Sequence, residues 1–190
     1  MQAARGTSLS DTVPSPSARS SASRGRLRLT FAAVALVGLA VDQGTKSLAL
    51  QRLADGVVEV FGSWFVLHLT FNPGAAFSTG TQYTVLLSCV AIAAVGVVLY
   101  LSRRIGSLLW AVAMGLLLAG VTGNLVDRIF RDPSPMRGHV VDFLMLPNWP
   151  VFNIADICIN VAAGLILLQA FRGIRLNGTR ESTHDPEPSA

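Results

Sequence analysis

Two aspartates, Asp142 and Asp156, flank a short Pro-rich stretch beside otherwise apolar sequence. An ionisable group at the edge of hydrocarbon is costly to keep, so its presence points to chemistry or a charge pathway. Two carboxylates held close together share one proton, which supplies one base and one acid near neutral pH. That is the equipment for hydrolysing an amide with an activated water. Asp142 sits in Val-Val-Asp-Phe (140–143), and Asp156 in Phe-Asn-Ile-Ala-Asp (152–156).

Each acid has a bland alternative. Asp156 alone reads as a first-turn acid that stabilises a helix dipole. Its company changes the balance, because Asn153, Asp156 and Asn160 recur at i, i+3 and i+7 and share one helix face. Asp42 and Lys46 are four apart with the acid N-terminal, a spacing that pairs them on one face. We read them as a structural intramembrane ion pair that holds neighbouring polar groups. Asn124 and Asp127 continue a polar stripe on an apolar helix, and such stripes face the bundle interior. Arg128 adds a planar fork of donors suited to peptide carbonyls or a lipid headgroup. In Phe-Asn-Pro-Gly-Ala-Ala-Phe-Ser (71–78), Asn72 is the side chain able to clamp a peptide through both donor and acceptor.

These residues need a scaffold, and composition defines its class. Hydrophobic residues make up 51% of the 190-residue chain and charged residues only 14%, well below the roughly 25% of soluble domains. Mean hydropathy is +0.51. Four apolar segments, near 29–53, 83–101, 107–129 and 152–172, are each long enough to cross about 30 Å of hydrocarbon as a helix. Between the first two lie β-branched and aromatic runs bounded by Gly and Pro, which predict strands. The expected fold is an all-α membrane protein of four transmembrane helices with a small extracytoplasmic β-cradle, about 54–82, between helices 1 and 2. Tails at 1–28 and 173–190 are expected to be disordered, since they are polar and lack an apolar period.

Arg5, Arg19, Arg24, Arg26 and Arg28, then Arg103 and Arg104, then Arg172, Arg175 and Arg180 fall on one side of this topology. Lys and Arg concentrate on the cytoplasmic side, so both termini are expected there, with the Asp142 loop facing outward. The same placement turns the sequence pI near 9.8 away from nucleic acid. A cleaved signal peptide ending near Val41 is disfavoured, because no Ala-x-Ala site follows. Cys89 and Cys158 lie in apolar runs, and His68, His139 and His184 stand apart, so neither a metal nor another cofactor is expected. Against the hydrolase stands a small proton-coupled transporter relaying through Asp42, Asp127 and Asp156. The clustering of acids toward the outer half argues against it.

Asn-Pro-Gly-Ala-Ala-Phe, Gly-Asn-Leu-Val-Asp-Arg, Val-Val-Asp-Phe and Phe-Asn-Ile-Ala-Asp, in this order and separated by apolar helices, resemble bacterial lipoprotein signal peptidase (signal peptidase II). Asp42-Gln43 and Lys46 match as well, and the resemblance covers about 29–172. It implies an intramembrane aspartyl protease of the bacterial plasma membrane, blocked by globomycin. The implied substrates are diacylglyceryl-modified prolipoproteins, cut before the lipidated cysteine. It also implies Asp142 and Asp156 as the dyad, Asn72, Asn124, Arg128 and Asn153 near substrate, and Asp42, Lys46 and Asp127 in support. Membrane lipid is the other expected partner, and the chain is expected to act as a monomer. The stretch from Asp127 to Asp142 and the amino-terminal tail look longer than in many relatives.

Overall fold

The computed structural model describes residues 16–74 and 83–180, with side chains from residue 24 onward. The chain runs α1 (Pro16–Arg52), β1 (Val58–Glu59), β2 (Val66–Asn72), α2 (Thr84–Ser102), α3 (Leu108–Phe130), β3 (Val140–Met145) and α4 (Ile154–Phe171). All four helices are long and apolar enough to cross a membrane, the first over Arg24–Arg52. Their outward faces carry exposed Leu36, Leu86, Leu167 and Phe171, a surface suited to hydrocarbon rather than water.

α3 is the central helix. In its spanning window 44% of residues are buried, against 17% to 22% in the other three. Small residues make this possible, as expected where lipid supplies no hydrophobic drive between helices and close backbone packing must do so. At Gly120 a Cβ would strike the Ala155 carbonyl, and at Gly123 it would sit 2.5 Å from Asp42 Oδ2. These two glycines let α4 and the polar side of α1 lie against α3.

The three strands form one antiparallel sheet in the order β1-β2-β3. β2 opposes β3 with Thr70 facing Asp142 and Asn72 facing Val140, after an irregularity between Leu67 and Thr70. The expected cradle between helices 1 and 2 is thus completed by a strand from between helices 3 and 4. Asp142, expected on a loop, lies within that strand. Val140 to Leu144 are all buried, so the run is buried on both faces and lacks the alternation that marks a half-exposed strand. Residues 75–82 of the expected cradle lie outside the described residues.

Both tails also differ from expectation. α1 reaches back to Pro16. Proline is preorganised for the first helical position, and once a helix is nucleated its extension through Ala, Arg and Leu costs little. Residues 1–15 lie outside the description. At the other end, Gly173 takes a left-handed conformation (φ 63°) that stops α4, and Asn177-Gly178 turns the chain back so that Ile174 bridges Arg180. This hairpin docks through Gly106 N to Leu176 O (2.9 Å) and Trp110 Nε1 to Ile174 O (3.1 Å). Asn-Gly is the local signal for such a turn. Residues 181–190 are again outside the description.

Candidate active site

Asp142 reaches the site because β3 is pinned on both sides. Its strand pairs with β2, and Phe152 exchanges backbone hydrogen bonds with Leu144 (2.8 and 2.9 Å). That second pairing brings residue 152 beside β3, so the next residue, Asn153, begins α4 at the level of Asp142. Asn153 caps α4. Its side-chain oxygen accepts from Asp156 N (3.0 Å), and Asp156 Oδ2 accepts from Asn153 N (3.1 Å), a reciprocal capping box. Asp156 therefore does stabilise a first turn, as the bland reading holds. The same bond leaves its other oxygen for the interior.

The amide of Asn153 then points at the second acid. Its Nδ2 donates to Asp142 Oδ1 (2.6 Å) and to Asn124 Oδ1 (3.1 Å). Asn124 Nδ2 donates to Asp156 Oδ1 (2.9 Å). Asn72 Nδ2 donates to Asp142 Oδ2 (3.0 Å), with its own oxygen held by Gly74 N (3.0 Å). Each carboxylate is thus held by neutral amides, and Asn153 and Asn124 bridge the two. Asp142, only 2% exposed, has its carboxyl pushed up from the ordinary 3.8 to about 6. Burial is the main cause and the charge of Asp156 the next, opposed by the amides of Asn72 and Asn153 and by Lys46.

Both acids line one cleft of about 280 Å³, together with Asn72, Asn124, Arg128 and the wall Trp149–Phe152. Arg128 donates through Nη2 to Gly74 O (3.0 Å), a peptide carbonyl, while its buried Nε has no partner among the described residues. Asn160 lines the rim, but its Nδ2 bonds back to Asp156 O (2.8 Å) along its own helix.

Behind the cleft lies a second, ionic layer. Lys46, fully buried, sits 3.0 Å from Asp42 and 2.8 Å from Asp127, and donates to Asn124 Oδ1 (3.0 Å). Asp42 Oδ1 accepts from Ala155 N (2.9 Å), so it also ties α1 to the first turn of α4. Asp127 takes Arg131 Nε (2.6 Å) and Val141 N (3.2 Å), which fixes β3 against α3. The expected Asp42–Lys46 pair is present, and Asp127 belongs to the same ladder. One member, Arg131, was not singled out from the sequence for this ladder, although its i, i+4 spacing from Asp127 would have marked it. Gln43, matched there beside Asp42, donates to Asp42 Oδ2 (3.0 Å) and Gly123 O (3.1 Å). The wall residues Trp149, Pro150 and Val151 were read only as part of a Pro-rich loop.

A helical bundle that spans the membrane, with one buried and one half-buried carboxylate at one end under a small sheet, defines a class of intramembrane site rather than a soluble active centre. Comparisons with known proteins agree. Two solved structures of bacterial membrane enzymes share the fold. One has a TM-score of 0.69 at 23% identity, covering 87% of this chain and 94% of the other. The second has a TM-score of 0.65 at 25% identity, covering 78% and 94%. The chain is accordingly a multi-pass membrane protein.

A family model described as signal peptidase (SPase) II matches residues 34–172. Among curated relatives, the lipoprotein signal peptidase of Leifsonia xyli is 46% identical over 169 residues, covering 88% of this chain and 77% of the relative. That of Mycolicibacterium smegmatis is 46% identical over 172 residues, covering 88% and 71%. That of Streptomyces griseus is 39% identical over 160 residues, covering 83% and 82%. The chain belongs to the signal peptidase II family, and the transporter reading falls with that membership.

Proposed function

We propose that this chain is an intramembrane aspartyl endopeptidase that removes the signal peptide from diacylglyceryl-modified prolipoproteins, cutting just before the lipidated cysteine. The observation that carries the aspartyl reading is the shared cleft. Asp142 and Asp156 both line it, joined through Asn153 and Asn124, with no cation paired to either among the described residues. The substrate class rests on the kinship with lipoprotein signal peptidases.

In this mechanism Asp142 holds the proton, as its raised value favours, and Asp156 takes a proton from water. The hydroxide equivalent attacks the scissile carbonyl carbon while Asp142 protonates the carbonyl oxygen. Collapse of the tetrahedral intermediate breaks the C–N bond as Asp156 passes the proton taken from water to the amide nitrogen and Asp142 recovers the hydroxyl proton. General acid/base transfer contributes typically about 10²–10⁴-fold, so orientation of the peptide supplies much of the remainder. Asn72 and Arg128 serve that purpose. Arg128 already holds one backbone carbonyl at 3.0 Å, and its open Nε is a further donor for a substrate peptide. The acyl chains stay in lipid while the scissile bond enters between helices.

The cytoplasmic termini and outward-facing dyad belong to the same proposal, supported by the Arg-rich tails and α2–α3 turn. The monomeric state does too, since one chain supplies both acids of the cleft. The deciding experiment reconstitutes the purified protein with a lipidated propeptide and sequences the products. A new amino terminus at the modified cysteine, lost on adding globomycin, is expected. Cleavage elsewhere, or no cleavage, would refute the assignment.

A further inference from the structure

At the end of the bundle remote from the dyad, three separate segments converge on a cleft of about 480 Å³. It is lined by Arg24 from α1, by Arg103, Arg104 and Ile105 from the α2–α3 turn, and by Asn177 from the C-terminal hairpin, with Leu27 beside them. The approach is built, not incidental. Gly106 N donates to Leu176 O, and a Cβ at Gly106 would overlap the Asn177 carbonyl, so only glycine lets the hairpin close this side. Leu27 and Ile105 belong to the hydrophobic core that continues into the bundle through Phe31 and Met114. Arg104 is fixed over the Tyr100 ring (5.6 Å to the centroid), with Nη2 3.3 Å from its hydroxyl. Among the described residues, neither Arg103 nor Arg104 is paired with a carboxylate.

We propose that this cleft binds the phosphodiester headgroup of an anionic phospholipid. Guanidinium groups match phosphate oxygens with paired donors, and a basic rim over an apolar floor is the shape of the junction between headgroup and acyl chain. Orientation signals alone need only positive charge near a helix end. They do not need three segments locked together around it. The site is independent of the dyad and of the peptidase reading.

The test follows binding of phosphatidylglycerol to the full-length chain in zwitterionic micelles by native mass spectrometry. One saturable lipid is expected, with no comparable retention of phosphatidylcholine. Arg103→Gln with Arg104→Gln should weaken that binding about 30-fold, taking the usual contribution of each basic residue near an anionic surface. Arg103→Lys with Arg104→Lys, which keeps the charge, should retain most of it and so controls for loss of structure. Cleavage of a lipidated propeptide in the same zwitterionic micelles should be unchanged in both. Equal lipid binding by wild type and the Gln variant would overturn the proposal. So would full competition by inorganic phosphate at matched concentration, which would make the ligand a free anion. Binding that appears only after truncation beyond Arg180 would also overturn it, since the acidic tail with Glu181, Asp185 and Glu187 would then be the occupant.

Discussion

The molecule keeps four aspartates in two neighbouring layers, all buried but the half-buried Asp156, and treats the layers in opposite ways. Asp42 and Asp127 are answered by cations, Lys46 between them and Arg131 at the edge, in a sealed ladder that ties α1, α3, β3 and the start of α4 together. Among the described residues, Asp142 and Asp156 are answered by amides and open onto a cleft. A carboxylate locked against a buried cation has its charge committed to holding the fold, and removing the partner strands that charge. A carboxylate held by neutral donors beside another acid is oriented without being neutralised, so its proton remains free to move. Asn124 joins the layers, accepting from Lys46 on one side and donating to Asp156 on the other.

The sharpest way to break this contrast is to neutralise each layer separately. Asp142→Asn and Asp156→Asn should each lower cleavage by about 10⁴-fold or more while the protein still folds, read from turnover and thermal unfolding together. Near-normal turnover in either variant would remove it from the dyad. In the ladder the loss should fall on stability instead. Lys46→Met leaves two buried acids without their shared cation and should cost about 3–5 kcal/mol, measured by unfolding in detergent. A variant as stable as wild type would show the ladder to be dispensable.

Acidity sharpens the comparison further. Because Asp142 is held at about 6 against an ordinary 3.8, the native state binds its proton more tightly than the unfolded chain does. Stability from this group is therefore fully present below about pH 4 and lost as pH rises through 6, by about 3 kcal/mol in total. Unfolding midpoints across pH 4–8 should show this fall in wild type and not in Asp142→Asn. Smallest are the amides. Asn72→Ala or Asn153→Ala removes one hydrogen bond to a charged group, worth about 1.5–3 kcal/mol, and should reduce cleavage about 10–100-fold. Asn72→Ala should also move the alkaline limb of the kcat/KM profile upward, since its amide favours the ionised form of Asp142. A larger loss than Asp156→Asn gives would mean that these amides do more than orient.

Much of the scaffold was legible along the chain. The spans expected at 29–53, 83–101, 107–129 and 152–172 match the helices except at the start of α1, because spanning a bilayer is a sum over local hydropathy. Asp42–Lys46 and the face shared by Asn153 and Asp156 were visible for the same reason, as helical spacing is local. The pairing of Lys46 with Asp127, β3 as the third strand of the cradle, and the docked C-terminal hairpin were not. Each depends on segments far apart in sequence.

What the amino-acid order determined by itself is the class of molecule, the number of spans and the set of polar residues a membrane would not tolerate idly. Tertiary structure decided how those residues divide. Asp127 lies against Lys46, whereas Asp142 lies against Asn153, and which partner an acid meets follows from where glycines let α3 approach its neighbours. The energy of a buried charge depends on the groups within a few ångströms of it, and those come from α1, α3, α4 and the sheet at once.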